Sequence, residues 1–151
     1  MKLAEALILR SDLLKKLQSL KDRIQRFAVV QEGDKPHEDP KEILKQANGA
    51  AEELRDLVFK IETGNHTGKV ADGRTIARAL ADRDLLINQH ALVAAAIEGT
   101  KAQPDRYGVK EIKWVATISV KDYQKRLDDY AKAIREVNVL IQEANWKYEI
   151  Q

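Results

Sequence analysis

The chain has 151 residues, with 26 basic and 24 acidic side chains, 44% hydrophobic residues and no cysteine. The length fits one domain, able to bury roughly 70% of the unfolded chain's surface without a staple. The missing cysteines exclude disulfides, thiolate metal sites and a cysteine nucleophile, and a net charge of only +2 argues against a nucleic-acid binder, which carries a basic excess.

The first segment, MKLAEALILRSDLLKKLQ, contains Glu5 and Asp12 and lacks an apolar run ending in a small-residue cleavage site, so no secretory signal is expected. The longest strictly apolar run, Ala91 to Ile97, falls far short of the roughly 20 residues that span a bilayer. No transmembrane segment and a cytoplasmic location are therefore expected. Charge is unevenly spread. Residues 1–30 hold seven basic and three acidic side chains, and residues 31–62 hold five and nine. Neighbouring segments of opposite sign suit two helices lying side by side.

The spacing predicts a first helix over residues 2–28. Leu3, Ala6, Leu13, Leu17, Leu20, Ile24 and Phe27 recur every three or four residues, and Leu7 and Leu14 widen the stripe. Arg10 interrupts that seam. Gly33 and Pro36 then mark a turn. A second helix, residues 40–62, starts with Asp39 as N-cap, Pro40 at the first position and Glu42 at the capping-box position. Its seam is Ile43, Ala47, Ala50, Leu54, Leu57 and Ile61, and the small residues around Gly49 would let another helix approach.

Thr63 to Gly73 reads as a loop, because it contains three glycines. A third helix over residues 74–98 carries two overlapping apolar phases. Ile76, Leu80, Ile87, Ala94 and Ile97 form one, and Ala79, Leu86 and Val93 the other, which predicts burial on more than one face. Pro104 and Gly108 break the chain next. From Val109 to Ile118 apolar and polar residues partly alternate, so one short β element is expected near 109–118. It would pair with Val29 to Gln31 or with its copy in another chain. A fourth helix, residues 120–147, has Ser119 as cap and an unbroken seam of Val120, Tyr123, Leu127, Tyr130, Ile134, Val137, Ile141, Ala144 and Tyr148. The expected fold is all-α: a single domain, residues 1–151, built as an antiparallel four-helix bundle with coiled-coil-like seams. In that arrangement the link between helices two and three lies near both termini.

Few constellations suggest chemistry. His37-Glu38-Asp39 matches no strong metal-ligand spacing, and Asp39 is already a cap, so no metal is expected. Gly64 to Lys69 fails as a phosphate loop. It has too few residues between glycines, Val70 in place of Ser or Thr, and a helix before it. No cofactor is expected. A candidate patch for an anion or a partner comprises Asp72 and Arg74 at a helix start, with Arg106, Tyr107 and Lys113. The alternative is that Asp72 caps the helix, Arg74 is solvated, and Tyr107 docks with Trp114 on the bundle end. Arg10 and Arg83, each beside an apolar seam, need acceptors, so a buried ion-pair network of Arg10, Arg83 and Asp84 is a further candidate.

The stretches MKLAEALILRSDL, VQEGDKPHEDP, ADGRTIARALADRD, DRYGVKEIKWVATISV and LIQEANW together resemble a small bacterial family labelled septicolysin-like. The resemblance covers nearly the whole chain. It implies a helical bacterial protein of unassigned function, and the family's name implies a haemolysin. It carries over no catalytic residues. The residues themselves favour a non-enzymatic structural or interaction protein acting as a helical homo-oligomer. The fourth-helix seam, the mixed-phase third helix and the orphan strand offer more apolar surface than one small bundle needs. Membrane activity and nucleotide or nucleic-acid binding are the alternatives.

Overall fold

A computed structural model describes residues 1–101 and 113–151. It contains four long helices: α1 (Leu3–Phe27), α2 (Pro40–Thr67), α3 (Ile76–Gly99) and α4 (Val120–Lys147). The expected all-α fold class is the one found. The chain forms two compact units, one of Met1–Ile76 with Gln142–Gln151, the other of Ala77–Ile141.

In the first unit α1 and α2 run antiparallel. Leu20, Ile43 and Ala50 form a buried cluster, with Leu17, Ile24, Phe27 and Ala47 packed against it. The pairing follows from the seams, since Leu3, Ala6, Leu13 and Leu20 of α1 and Ile43, Ala50, Leu57 and Ile61 of α2 are all buried. Removing a leucine or isoleucine side chain of this size from water contributes about 2 kcal/mol. Leu14, by contrast, is exposed, so the α1 stripe is narrower than its sequence suggests. Asp39 caps α2 as expected, accepting the Lys41 backbone N–H at 3.0 Å. The connection before it is tied back to α1 by Arg23, whose Nε donates to Glu38 at 3.0 Å and whose Nη2 reaches the other carboxylate oxygen.

Three expectations are corrected. First, α2 continues to Thr67, so Thr63 and Gly64 are helical and not loop. The added turn is held by packing. Gly64 is buried, and a Cβ built on it would lie 2.7 Å from Ile150 and 3.7 Å from Leu3. Thr63 and Thr67 hydroxyls donate back to the carbonyls of Phe59 and Thr63. Second, among the small residues around Gly49 it is Ala47 and Ala50 that meet α1, while an added Cβ on Gly49 would meet nothing within 4 Å, and the tightest glycine contact falls at Gly64 and Gly68 instead. Third, Lys113–Ala116 is not a strand, and neither is Val29–Gln31; residues 109–112 lie outside the described residues. Backbone pairing outside the helices takes the form of two isolated bridges, Lys2 with Glu149 and Lys69 with Thr75.

Those bridges build a knot at one end of the first unit. Leu3 N–H donates to Tyr148 O at 2.9 Å, and Ile150 N–H donates to Met1 O at 3.0 Å. Both termini thus meet the α2–α3 link, as the chain order implied. Lys2 Nζ adds an ion pair to Glu149 at 2.6 Å. Leu3, Ile61, Val70, Ile76 and Ile150 fill the interior of the knot.

In the second unit the α4 seam is legible in the burial. Tyr123, Leu127, Tyr130 and Ile134 are half-buried, and Val137 and Ile141 are buried. Ser119 caps the helix, its hydroxyl oxygen accepting the Asp122 N–H at 3.3 Å. On α3, Ala79 and Ile97 are buried.

Candidate interaction surface

Asp72 and Arg74 bond each other. The Arg74 backbone N–H donates to Asp72 Oδ1 at 3.1 Å, and Arg74 Nη2 donates to Oδ2 at 2.7 Å. Gly73, at φ +92°, makes the turn between them, a conformation that favours glycine. These bonds, the side-chain one foremost, hold the Asp72 carboxyl below its ordinary range. Asp72 therefore caps this turn, four residues ahead of α3, instead of the helix itself. Asp72 and Arg74 belong to the first unit, whereas Lys113, which is exposed, belongs to the second. Arg106 and Tyr107 lie outside the described residues.

Of the candidate ion-pair network, Arg83 and Asp84 do pair, Nη2 to Oδ1 at 3.4 Å. Asp84 keeps 65% of its side-chain exposure, so the pair sits at the surface and is not a buried one. Arg83 Nε is buried without a hydrogen-bond partner among the described residues. Arg10 is half-buried on α1, in the first unit, and forms no ion pair among the described residues. A single exposed pair of this kind is worth little, about 0–1 kcal/mol before solvent screening is counted.

Beside the terminal knot lies an open groove of about 400 Å³, lined by Phe59, Lys60, Thr63, Thr67, Tyr148 and Ile150 among others. The Thr67 and Tyr148 hydroxyls share a 2.6 Å hydrogen bond on its wall. Phe59 is 74% exposed. Among the described residues, no three histidine, aspartate or glutamate side chains gather as metal ligands would.

The feature with most reach lies on α3. From Leu85 to Ile97 the helix has no Lys, Arg, Asp or Glu. A helix apolar on every side is ordinarily buried on every side. Here Leu85 is 54% exposed and Leu92 72% exposed. Ala81, Leu85, Asn88, Leu92 and Ala95 are all exposed and follow one another at steps of four, three, four and three residues. Residues at that spacing share one face of the helix.

The profile of one family matches residues 10–150. The chain belongs to the family of unknown function DUF6847. A crystal structure of a functionally unknown conserved protein from Corynebacterium diphtheriae is 36% identical to it in sequence. The match covers 100% of this chain and 99% of that one, with a TM-score of 0.89. No curated protein matches. No helix among the described residues of this DUF6847 chain is long and apolar enough to cross a membrane.

The α3 stripe of the DUF6847 chain does not appear among the residues the sequence singled out. The signal was present as an uncharged stretch and two overlapping phases. Periodicity reports that a face wants burial, and is silent on whether the cover comes from the same chain. Of the two phases expected to be buried, Ile76, Ala79 and Ile97 are buried and Leu80, Leu86, Val93 and Ala94 half-buried, whereas Ile87 is exposed; Leu85 and Leu92 belong to neither phase.

Proposed function

We propose that this DUF6847 member is a non-enzymatic structural or interaction protein that works in the cytoplasm as a helical homo-oligomer. One observation carries the reading: α3 presents an uncharged, largely apolar face to solvent in the single chain. Covering two leucines and the adjoining alanines stabilises association by roughly 25 cal/mol per Å² of apolar surface, part of which is offset by lost translational freedom. Sedimentation or light scattering at tens of micromolar tests it. A multiple of 17.1 kDa is expected. Leu92→Glu is expected to give the monomer with an unchanged helical circular dichroism spectrum, because Leu92 is already exposed in the single chain. Wild-type protein that stays at 17.1 kDa would refute the reading.

The same face supports a second reading, membership of the septicolysin-like family with activity on membranes. An uncharged helix face can enter the boundary between headgroups and acyl chains. In this reading the chain releases dye from lipid vesicles, and Leu92→Glu suppresses release. Vesicles that stay sealed at neutral and acidic pH dispose of it.

A further inference from the structure

Resting on the self-association reading above, we infer that the α3 stripe pairs with α3 of a second copy, antiparallel, about a two-fold axis at Asn88. The residue types of the stripe read the same in both directions, with the two leucines offset by one residue. Ala81 and Ala95 stand seven residues either side of Asn88, and Leu85 and Leu92 stand three and four residues away. Antiparallel pairing at this register sets Leu85 against the second copy's Leu92, Ala81 against its Ala95, and Asn88 against its equivalent. A surface patch that meets itself in this way is what a closed two-fold dimer requires.

Asn88 selects the occupant. A side-chain amide covered without a partner loses its hydrogen bonds to water, at a cost of roughly 1–3 kcal/mol. On a two-fold axis each Asn88 amide donates to the other's carbonyl oxygen, so both are satisfied. Acyl chains or a purely apolar partner would leave the amide unmet.

Charge at the two ends selects the direction. The first turn of α3 has no acid and the last turn no base, so the helix dipole is not offset within those turns. Arg78 near the start bonds Asp82 at 3.0 Å and Glu98 near the end pairs with Lys101 at 3.2 Å, so the direction rests on the dipole itself. Antiparallel pairing brings unlike ends to the same level, and parallel pairing brings like ends together. The alternating four- and three-residue steps average 3.5, which favours a shallow left-handed crossing of about 20°.

The chain has no cysteine, so single introduced cysteines report the geometry directly. Ala81 and Ala95 are fourteen residues apart, about 21 Å along a helix, and a disulfide needs Cα atoms within about 7 Å. Under mild oxidation, Asn88→Cys is expected to form a disulfide dimer. Ala81→Cys co-refolded with Ala95→Cys is expected to form the mixed dimer, and Ala81→Cys alone none. Self-linking of Ala81→Cys would mean parallel helices and overturn the inference. A wild-type dimer in which none of the three links forms would place the contact elsewhere, overturning the inference while the self-association reading stands. A wild-type monomer in sedimentation would remove both.

Discussion

Gly68 occupies a place where even a methyl group does not fit. A Cβ there would lie 2.8 Å from Ile76 Cδ1, 2.9 Å from the Gly64 carbonyl oxygen and 3.1 Å from Tyr148. The carbonyl belongs to backbone and cannot swing aside. Gly68→Ala is therefore expected to destabilise the first unit by about 1–3 kcal/mol, the usual range for an overpacked site. Gly49 is the control. It is helical and exposed, and nothing lies within 4 Å of an added Cβ. Gly49→Ala is expected to stabilise by about 1 kcal/mol through helix propensity. Urea unfolding of both variants checks the pair, and equal signs would contradict the close packing at the knot. Glu38 offers a prediction in pH. Its carboxyl is held below the ordinary value, first by the hydrogen bond from Arg23. A depressed folded value means that the contribution is present above the unfolded carboxyl's pKa of about 4.3 and is lost as pH falls through the folded one. Unfolding curves of wild type and Glu38→Gln should then differ at neutral pH and merge in acid.

At the scale of elements, seams, starts and stops were legible to different degrees. Asp39 and Pro40 announced the start of α2, because an acceptor followed by a residue without N–H meets the needs of a helix's first turn. Asp39→Ala is expected to lose about 1 kcal/mol, measurable in the same urea series, since the Lys41 N–H would then have only water. The end of α2 was not legible. Thr63 and Gly64 are poor helix formers, and the turn they occupy is held by Leu3, Tyr148 and Ile150, residues distant in sequence. The seams of α1, α2 and α4 were readable because each has one apolar face and a charged back. The α3 helix has no charged back between Leu85 and Ile97, so two overlapping phases could be read on it, and neither contained Leu85 or Leu92. Among the candidate site residues, Asp72 and Arg74 were read as an anion or partner patch at a helix start, and that they instead bond each other in a turn ahead of α3 could not be read from spacing. The short β element expected near 109–118 was misjudged over its described part, residues 113–118, for a related reason. β-branched and aromatic residues favour a strand only when a partner strand is there to receive it, and Trp114 and Val115 are exposed.

For the whole molecule, self-association carries a thermodynamic signature that no monomer shares. If folded chains pair and unfolded chains do not, mass action favours the folded state more strongly as concentration rises. A tenfold increase adds about 1.4 kcal/mol per dimer. Two chains of this length together unfold with an entropy near 0.6 kcal/mol/K, so the midpoint should rise by about 2 °C for each tenfold step. Calorimetry across two decades of concentration resolves a shift of that size. Leu92→Glu should flatten the dependence, because at this register the added carboxylate falls beside the second copy's exposed Asp84 and would be desolvated against a like charge. Asn88→Leu should act in the opposite sense. It replaces the amide pair with apolar contact, so the midpoint rises while the register loosens. A Leu92→Glu protein that kept the wild-type slope would show that the copies meet through some other face, with α3 left open to water.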